Sequence, residues 1–505
     1  MLLCELLKQS KIEYEIYGED VEIRSVVPDS ERVSEGSLYI AIKGIRIDGH
    51  SFIQAARENG ANCAIVCREY ISKCKNLFSD KDFTFVAVED TRAAMAFIYA
   101  AFYQNPQSKL KFVGVTGTNG KTSTSRIIYE ILSRSGVRCG LIGTMGAYSP
   151  SGKIDICPAN SLANMTTPDP EELYKILAVM AEQGLELVIM EVSSHALKLS
   201  KLAPISFEVG IFTNLGEEHL DFHKDLDDYF EAKAKLFENC GHAVINIDDA
   251  YGRRLYEKLE KNSDISVFTC SQEGKVADFS ATDISCRPRG IEYKLNSRHL
   301  CLKICSNLMG RFNVINSLEA IAATCLLGIA PRDIKDSLAT LSTVEGRLEK
   351  IKLDKKVDFS VYVDYAHTPD ALKNLLFSLR SFLKRDERIV LLFGCGGDRD
   401  KQKRAKMGKI ATSMADFVII TSDNSRSEDT SAIISDILSG VEEISPYVVI
   451  EDRKNAIEYA IKNARKRDVI VLAGKGHENY EIIGDKRNRF CETEIVKQFV
   501  DKYCL

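Results

Sequence analysis

Residues 111–123, KFVGVTGTNGKTS, constrain this chain more than any other stretch. An apolar run (Phe112, Val113, Val115) reads as a buried strand, and it stops at Gly117-Thr118-Asn119-Gly120. Lys121-Thr122-Ser123 then opens a helix-like segment. Strand, glycine turn and helix start together make a phosphate cradle. Glycines let backbone N–H groups face an anion, and the helix start adds partial positive charge. Lys121 is placed to reach terminal phosphates, and the Thr122 hydroxyl to ligate Mg²⁺. The general pattern G-x-x-x-x-G-K-[ST] asks for glycine at 115, where this chain has Val115, so a variant loop, TGTNGKTS, is present.

At 505 residues the chain has room for about three domains. Apolar residues make up 45% and charged residues 28%, the balance of a globular protein. A net charge of -5 gives no basic field for nucleic acid. The fifteen cysteines form no CxxC pair. Cys63/Cys67 and Cys301/Cys305 lie on apolar stretches and are expected to be small buried thiols of a reducing compartment, not a zinc site or a disulfide framework. The start, MLLCELLKQSKIEYE, lacks a basic leader with a long apolar core, and no apolar run reaches membrane-spanning length. A cytoplasmic protein with no membrane insertion is expected.

Three α/β regions follow. Residues 1–104 alternate strand-like runs (Ser37 to Ile42) with helix-like ones (Phe52 to Arg57), and Asn105-Pro106-Gln107-Ser108 reads as a linker. Residues 105–345 hold the phosphate loop and further buried-strand runs at Leu187–Val192, Val209–Thr213 and Ala243–Ile247, with helical segments between them. Such alternation predicts a mainly parallel sheet with helices on both faces. Residues 346–505 repeat the pattern with runs at 361–363, 389–393, 417–420 and 469–472. Each run ends in a polar segment: DYAH at 364–367, GCGGDRD at 394–400, SDNSR at 422–426 and GKGHE at 474–478. Ligands of open α/β sheets sit at the carboxyl ends of strands, so four such ends point to one cleft.

In the middle region Glu191 ends an apolar strand and leads into Ser193-Ser194-His195. A carboxylate so placed is a second anchor for Mg²⁺ or a cap for the next helix. Glu217 to His223 holds two histidines and three carboxylates and is expected to face a metal or phosphate. Spacing alone makes Lys233, in YFEAKAKLF, an ordinary surface lysine.

The runs TGTNGKTS (116–123), MEVSSHAL (190–197), EHLDFH (218–223), YFEAKAKLF (229–237), GRFNVINSL (310–318), VDYAHTPDAL (363–372), GCGGDRDKQKR (394–404) and AGKGHENY (473–480) together resemble the Mur ligase family, most closely its UDP-N-acetylmuramoyl-tripeptide synthetase (MurE) branch. The resemblance runs over nearly the whole chain. It implies three domains: a smaller N-terminal α/β domain that binds the UDP-sugar, a central ATPase-like domain with a mainly parallel sheet, and a Rossmann-like C-terminal domain that binds the amino acid. It further implies a cytoplasmic, monomeric, ADP-forming acid–amino-acid ligase of peptidoglycan precursor synthesis, needed for cell shape and division. Its substrates would be ATP, UDP-N-acetylmuramoyl-L-alanyl-D-glutamate and a diamino acid, with Mg²⁺ as the metal.

Residue by residue, the resemblance assigns ATP to Thr116, Gly117, Thr118, Asn119, Gly120, Lys121, Thr122, Ser123, Asn313 and Arg347. Lys121, Glu191, His219 and Lys233 take catalytic roles, with Thr122, Glu191, His219 and Lys233 as metal ligands. Lys233 matches the lysine that the family carbamylates with CO₂; an ammonium cannot bind Mg²⁺, but its carbamate is an anionic oxygen ligand. Glu218 stands where the motif has Asp. The UDP-muramyl-dipeptide falls to Ser30, Thr166, Thr167, Ser193 and Lys201, with Asp29 and Gly44 to Asp48 near the uridine diphosphate. The usual DSR tripeptide is here Asp29-Ser30-Glu31, and Lys201 replaces a common arginine, losing the bidentate fork. Arg399, Asp423, Asn424, Ser425, Arg426, Gly474 and Glu478 match an acceptor pocket for meso-diaminopimelate. An arginine fork suits that acceptor's distal carboxylate, and Glu478 its amine. Ser425 replaces the proline of the usual DNPR, which is expected to loosen the turn. Lysine or ornithine as acceptor, folylpolyglutamate synthesis, and a slow nucleotide switch are the competing readings.

Overall fold

A computed structural model describes residues 1–44, 47–73, 82–156, 165–298, 300–341, 343–384, 386–442 and 446–503. The chain divides into two compact units. One comprises Met1–Thr116, Gly136–Gly210 and Ala232–Ala243; the other comprises Gly117–Ser135, Ile211–Glu231 and Val244–Leu505.

The first unit opens with a five-stranded sheet in the order Glu15–Tyr17, Thr84–Val88, Ala61–Cys67, Ser37–Ile40, Ser25–Val27. Its last four strands are parallel and the Glu15–Tyr17 edge is antiparallel. Tyr39, Val66 and Phe85 lie in its core. Helix Thr91–Phe102 starts at Asp90, whose carboxylate accepts the Arg92 and Ala93 N–H groups. Asn105 to Ser108 is no loose linker. Pro106–Lys109 is a 3₁₀ turn with Pro106 buried, and the Asn105 amide donates to Gln9 O. Proline at the first position of such a turn sacrifices no hydrogen bond. Beyond it, strand Leu187–Glu191 lies parallel between Lys111–Thr116 and Cys139–Gly143, with Glu191 opposite Val115.

In the second unit, helix Lys121–Arg134 packs against Phe312–Leu326. An antiparallel ribbon, Phe279–Arg287, Gly290–Ser297 and Cys301–Ser306, pairs strand to strand. On its last strand burial alternates, and Cys301 and Cys305 share the exposed face. The expectation of buried thiols fails there: a spacing of four preserves the side of a strand, and that side is outward. Cys63 is buried and Cys67 half-buried.

The same unit also holds a six-stranded sheet in the order Glu349–Lys350, Ser360–Asp364, Asp468–Ala473, Arg388–Phe393, Phe417–Ile420, Tyr447–Val449. All but the first strand are parallel. Alternation splits the apolar runs between two cores. Leu391 and Phe393 meet Leu372, Leu376, Met407 and Ile437 on one face. Val390 and Leu392 meet Ile457, Ile461, Val496 and Phe499 on the other. Burial on both faces is why these strands read as continuous apolar runs, each large side chain contributing roughly 1.5–3 kcal/mol. Parallel strands end at one edge, so the four polar segments expected to share a cleft do lie along one rim.

Candidate active site

The phosphate loop is held from outside. Thr118 N–H donates to Asn214 O, and Asn119 N–H to the Asn214 side chain. Asn119 O accepts from Thr213 Oγ1 and Asn214 Nδ2, and the Gly216 N–H donates to Thr118 Oγ1. The turn needs its glycines: Gly120 has φ +90°, and a Cβ there would stand 2.7 Å from Asn316 Oδ1. Lys121 Nζ donates to Gly117 O at 2.9 Å and Thr118 O at 2.8 Å, so the cation curls over the loop. Arg347 donates from Nη2 to Thr122 Oγ1 at 3.1 Å and lies 4.7 Å from the Tyr365 ring centre. A guanidinium thus sits on the oxygen assigned to a metal. Ser123 is buried in the helix's first turn, and Asn313, on helix Phe312–Leu326, donates to Met309 O and accepts from Asn316.

The expected cluster at Glu217 to His223 is dispersed. Glu217 pairs with Lys406, and His223 is buried against Asp228 at 3.4 Å. Only Glu218 gathers neighbours: His367 Nε2 lies at 3.2 Å and His219 Nε2 at 3.7 Å. Burial alone would raise the Glu218 carboxyl, but His219, the His367 hydrogen bond and Lys121 hold it well below the usual carboxylate range. His219 itself takes φ +59°, uncommon for a residue with a Cβ. Among the described residues no group of three or more His, Cys, Asp or Glu side chains forms a metal cage.

In the first unit, Glu191 ends its strand 2% exposed. Thr144 N–H donates to Oε1 at 3.0 Å and Thr144 Oγ1 to Oε2 at 3.1 Å. A hydroxyl has one proton, so Thr166 Oγ1 must donate to Thr144 Oγ1, 3.1 Å away. Thr167 Oγ1 donates to Glu191 O and accepts the Ser193 N–H, while Ser193 Oγ caps the next helix at Ala196. The approach needs Gly143, whose Cβ would fall 2.2 Å from Glu191 Oε1. Sequence reading missed Thr144; the Gly143-Thr144 pair ending an apolar run was its one signal. Lys201, 6% exposed, pairs with Asp169 at 2.6 Å. Lys233 is 1% exposed on helix Leu226–Ala234, so the surface lysine expected from spacing is instead buried. Ser30 opens a 3₁₀ turn capped by Asp29. Of the uridine-diphosphate segment Gly44 to Asp48, residues 45 and 46 lie outside the described residues; Asp48 accepts from His50 Nδ1 at 2.6 Å.

The rim of the six-stranded sheet carries the third group. Asn424 is its hub. Its Nδ2 donates to Glu478 Oε2 at 2.9 Å, and its Oδ1 accepts from Lys475 Nζ at 3.1 Å and from Ile482 N–H at 3.0 Å. Burial would raise the Asp423 carboxyl, yet Lys475 and Arg453 lower it. Gly474, at φ +115°, lets Asp423 Oδ2 come within 2.6 Å of where a Cβ would be. Arg426 Nη1 donates to Gly397 O at 2.8 Å. Among the described residues no carboxylate ion-pairs with it. Desolvation and the neighbouring Arg399, which is exposed, lower its pKa from the usual arginine value. A half-buried guanidinium facing a second arginine is a site for an anion. The loop is not loose: Gly397 N–H donates to Asn424 O, and Arg426 N–H to Ile482 O.

A glycine-rich phosphate loop opening helix Lys121–Arg134, and a parallel sheet with polar segments at its strand ends, are features of nucleotide-dependent α/β enzymes. Three family descriptions match: "Mur ligase family, catalytic domain" over 22–103, "Mur ligase middle domain" over 115–324, and "Mur ligase, glutamate ligase domain" over 346–476. The chain is 43% identical, over 97% of both sequences, to UDP-N-acetylmuramoyl-L-alanyl-D-glutamate--2,6-diaminopimelate ligase 1 of Clostridium acetobutylicum. A solved UDP-N-acetylmuramoyl-L-alanyl-D-glutamate--2,6-diaminopimelate ligase superposes with a TM-score of 0.64 at 30% identity, covering 95% of each chain. The MurF ligase of Thermotoga maritima, solved with ADP, shares the fold at a TM-score of 0.59 and 18% identity, covering 95% of this chain and 97% of that one. The chain belongs to the Mur ligase family.

Proposed function

We propose that the protein is an ATP-dependent ligase that joins the D-Glu γ-carboxylate of UDP-N-acetylmuramoyl-L-alanyl-D-glutamate to an amino group of meso-diaminopimelate. The rim site carries this reading. Arg426 and Arg399 offer charge to a distal carboxylate, and Glu478, oriented by Asn424 and Lys475, offers charge to the amine beside it. Lysine and ornithine would leave Arg426 without an anion. The family matches over 22–103, 115–324 and 346–476 support domain bounds of 1–104, 105–345 and 346–505 for the UDP-sugar, ATP and amino-acid domains.

A carboxylate is a poor acyl donor because oxide would have to leave. Transfer of the ATP γ-phosphoryl group to the carboxylate oxygen makes an acyl phosphate and releases ADP. The amine nitrogen then attacks the acyl carbon, the C–O bond to phosphate breaks, and the ammonium gives up its proton. Little covalent work falls to the chain, so its residues position charge. Lys121 swings from Gly117 O and Thr118 O to the terminal phosphates. Asn313 and Arg347 hold the nucleotide. Thr166, Thr167, Ser193 and Lys201 orient the muramyl-dipeptide, with Ser30 at its uridine end.

Thr122 and Glu191 are hard oxygen donors of the kind Mg²⁺ takes, and Thr122 Oγ1 already accepts a hydrogen bond from the Arg347 guanidinium. His219 and Lys233 complete the proposed ligand set. Bound Mg²⁺ neutralises phosphate charge. Lys233 is buried on helix Leu226–Ala234, and carbamylation there would join its amine nitrogen to CO₂ with release of a proton, giving an anionic oxygen ligand. Lys233→Ala should abolish ligation, and short-chain carboxylic acids should partly restore it. An active variant overturns that role.

The test of the reaction is phosphate release with the nucleotide-sugar dipeptide and, in turn, diaminopimelate, lysine and ornithine, using ¹⁸O in the D-Glu carboxylate. Label appearing in inorganic phosphate with diaminopimelate supports the reading, and unlabelled phosphate refutes it.

A further inference from the structure

Strands Tyr480–Ile483 and Lys486–Arg489 form an isolated two-stranded hairpin at the acceptor rim. Its outer strand is exposed at all four positions, and Ile483 is 51% exposed, so a core is not what the hairpin builds. What it does contact is the loop at 423–426. Ile482 O accepts the Arg426 N–H at 3.1 Å, and Gly484 N–H donates to Arg426 O at 2.8 Å. Ile482 N–H reaches Asn424 Oδ1 at 3.0 Å. Arg426 is therefore gripped at both its backbone groups, and its neighbour-but-one at the side chain. The gripped residue has φ +52°, a conformation that residues with a Cβ seldom hold unaided.

We propose that this hairpin is the positioning element for the Arg426 guanidinium, and that it, not the composition of the loop, gives the acceptor site its affinity for the far carboxylate. The inference rests on the diaminopimelate reading above. Its physical content is a division of labour. Ser425 leaves φ unrestricted where proline would fix it, and backbone hydrogen bonds from a separate element supply the missing restraint. With the backbone pinned at positive φ, the side chain is delivered to Gly397 O, beside Arg399. Strain of this sort survives only where its surroundings over-determine it.

The hairpin turn offers a clean handle. Gly484 has φ +58° at the first central position of a two-residue turn, and a Cβ there would meet nothing within 4 Å. Gly484→Pro removes the N–H that Arg426 O accepts and imposes the wrong φ, with no clash. Gly484→Asn keeps the N–H and, of residues carrying a Cβ, is among the least unfavourable at positive φ. Gly484→Val keeps the N–H, disfavours the φ, and repeats the test with less risk to folding.

Steady-state kinetics of the full chain should show Gly484→Pro raising KM for diaminopimelate about tenfold, the worth of roughly one hydrogen-bonded restraint. Gly484→Val should raise it by a few-fold, and Gly484→Asn should leave it within about twofold. KM for ATP and for the nucleotide-sugar dipeptide should stay within about twofold in all three. In an Arg426→Ala background, where there is no guanidinium to place, Gly484→Pro should add nothing. The proposal is overturned if both Gly484→Pro and Gly484→Val keep the wild-type KM for diaminopimelate, if ATP is affected equally, or if the Gly484→Pro effect persists without Arg426. Failure of the underlying reading looks different: wild-type protein would then not use diaminopimelate at all.

Discussion

The phosphate loop and the acceptor rim hold their cations in opposite ways. Lys121 is satisfied without a ligand, its ammonium spanning two loop carbonyls at 2.9 and 2.8 Å. Arg426 has carbonyl partners, a repelling Arg399 and the more distant pull of Asp423, Glu478 and Asp398, but no direct ion pair among the described residues. On the proposed function, a nucleotide would draw Lys121 away from internal partners, whereas an acceptor carboxylate would add an ion pair that Arg426 does not have among the described residues.

Lys121→Ala gives the largest effect expected from this contrast. With no cation to move onto phosphate, kcat/KM should fall by roughly three orders of magnitude or more in a phosphate-release assay. A loss under tenfold would mean that the curled lysine is structural. Arg426→Ala comes next. KM for diaminopimelate should rise by the equivalent of about 2–4 kcal/mol while KM for ATP stays put. Turnover of lysine, if measurable, should be unaffected. Equal effects on both substrates would erase the distinction between loop and rim.

A subtler effect lies beneath the loop. Glu319 is fully buried on helix Phe312–Leu326, accepts from Thr124 Oγ1 at 3.0 Å, and leaves Oε1 without a hydrogen-bond partner. Burial raises its carboxyl well above the usual value. An acid whose folded pKa is raised stabilises the fold fully below its unfolded pKa, and that stability drains away as pH climbs toward the folded one. Glu319→Gln should therefore melt a few degrees higher at neutral pH, with a gap that widens from pH 5 upward and shrinks in acid. A gap independent of pH would show that folding does not shift the Glu319 carboxyl. The smallest effect belongs to Lys406 and Glu217, both about half exposed. Lys406→Ala should change unfolding free energy by less than about 1 kcal/mol, and less still at high salt.

Much of this was legible beforehand, and the reason is local. Strands buried on both faces, such as Arg388–Phe393 and Asp468–Ala473, announce themselves as apolar runs, and their polar ends mark the rim. The turn at Gly117–Gly120 is encoded by its glycines. Other features had no local signature. Thr144 meets Glu191 across 47 positions, and the hairpin at 480–489 meets Arg426 more than fifty positions away. Spacing placed Lys233 at the surface and gathered Glu217 to His223 into one cluster; packing buried the first and scattered the second.

The amino-acid order alone settled the α/β alternation, the phosphate loop and the rim of strand-end segments, because each depends on neighbours within a dozen residues. Tertiary structure alone decided which oxygen Arg347 covers, that Glu218 stays ionised between two histidines, and that a distant hairpin grips Arg426. Hydrogen bonds and charges act over a few ångströms of space, and only the fold sets which residues those ångströms connect.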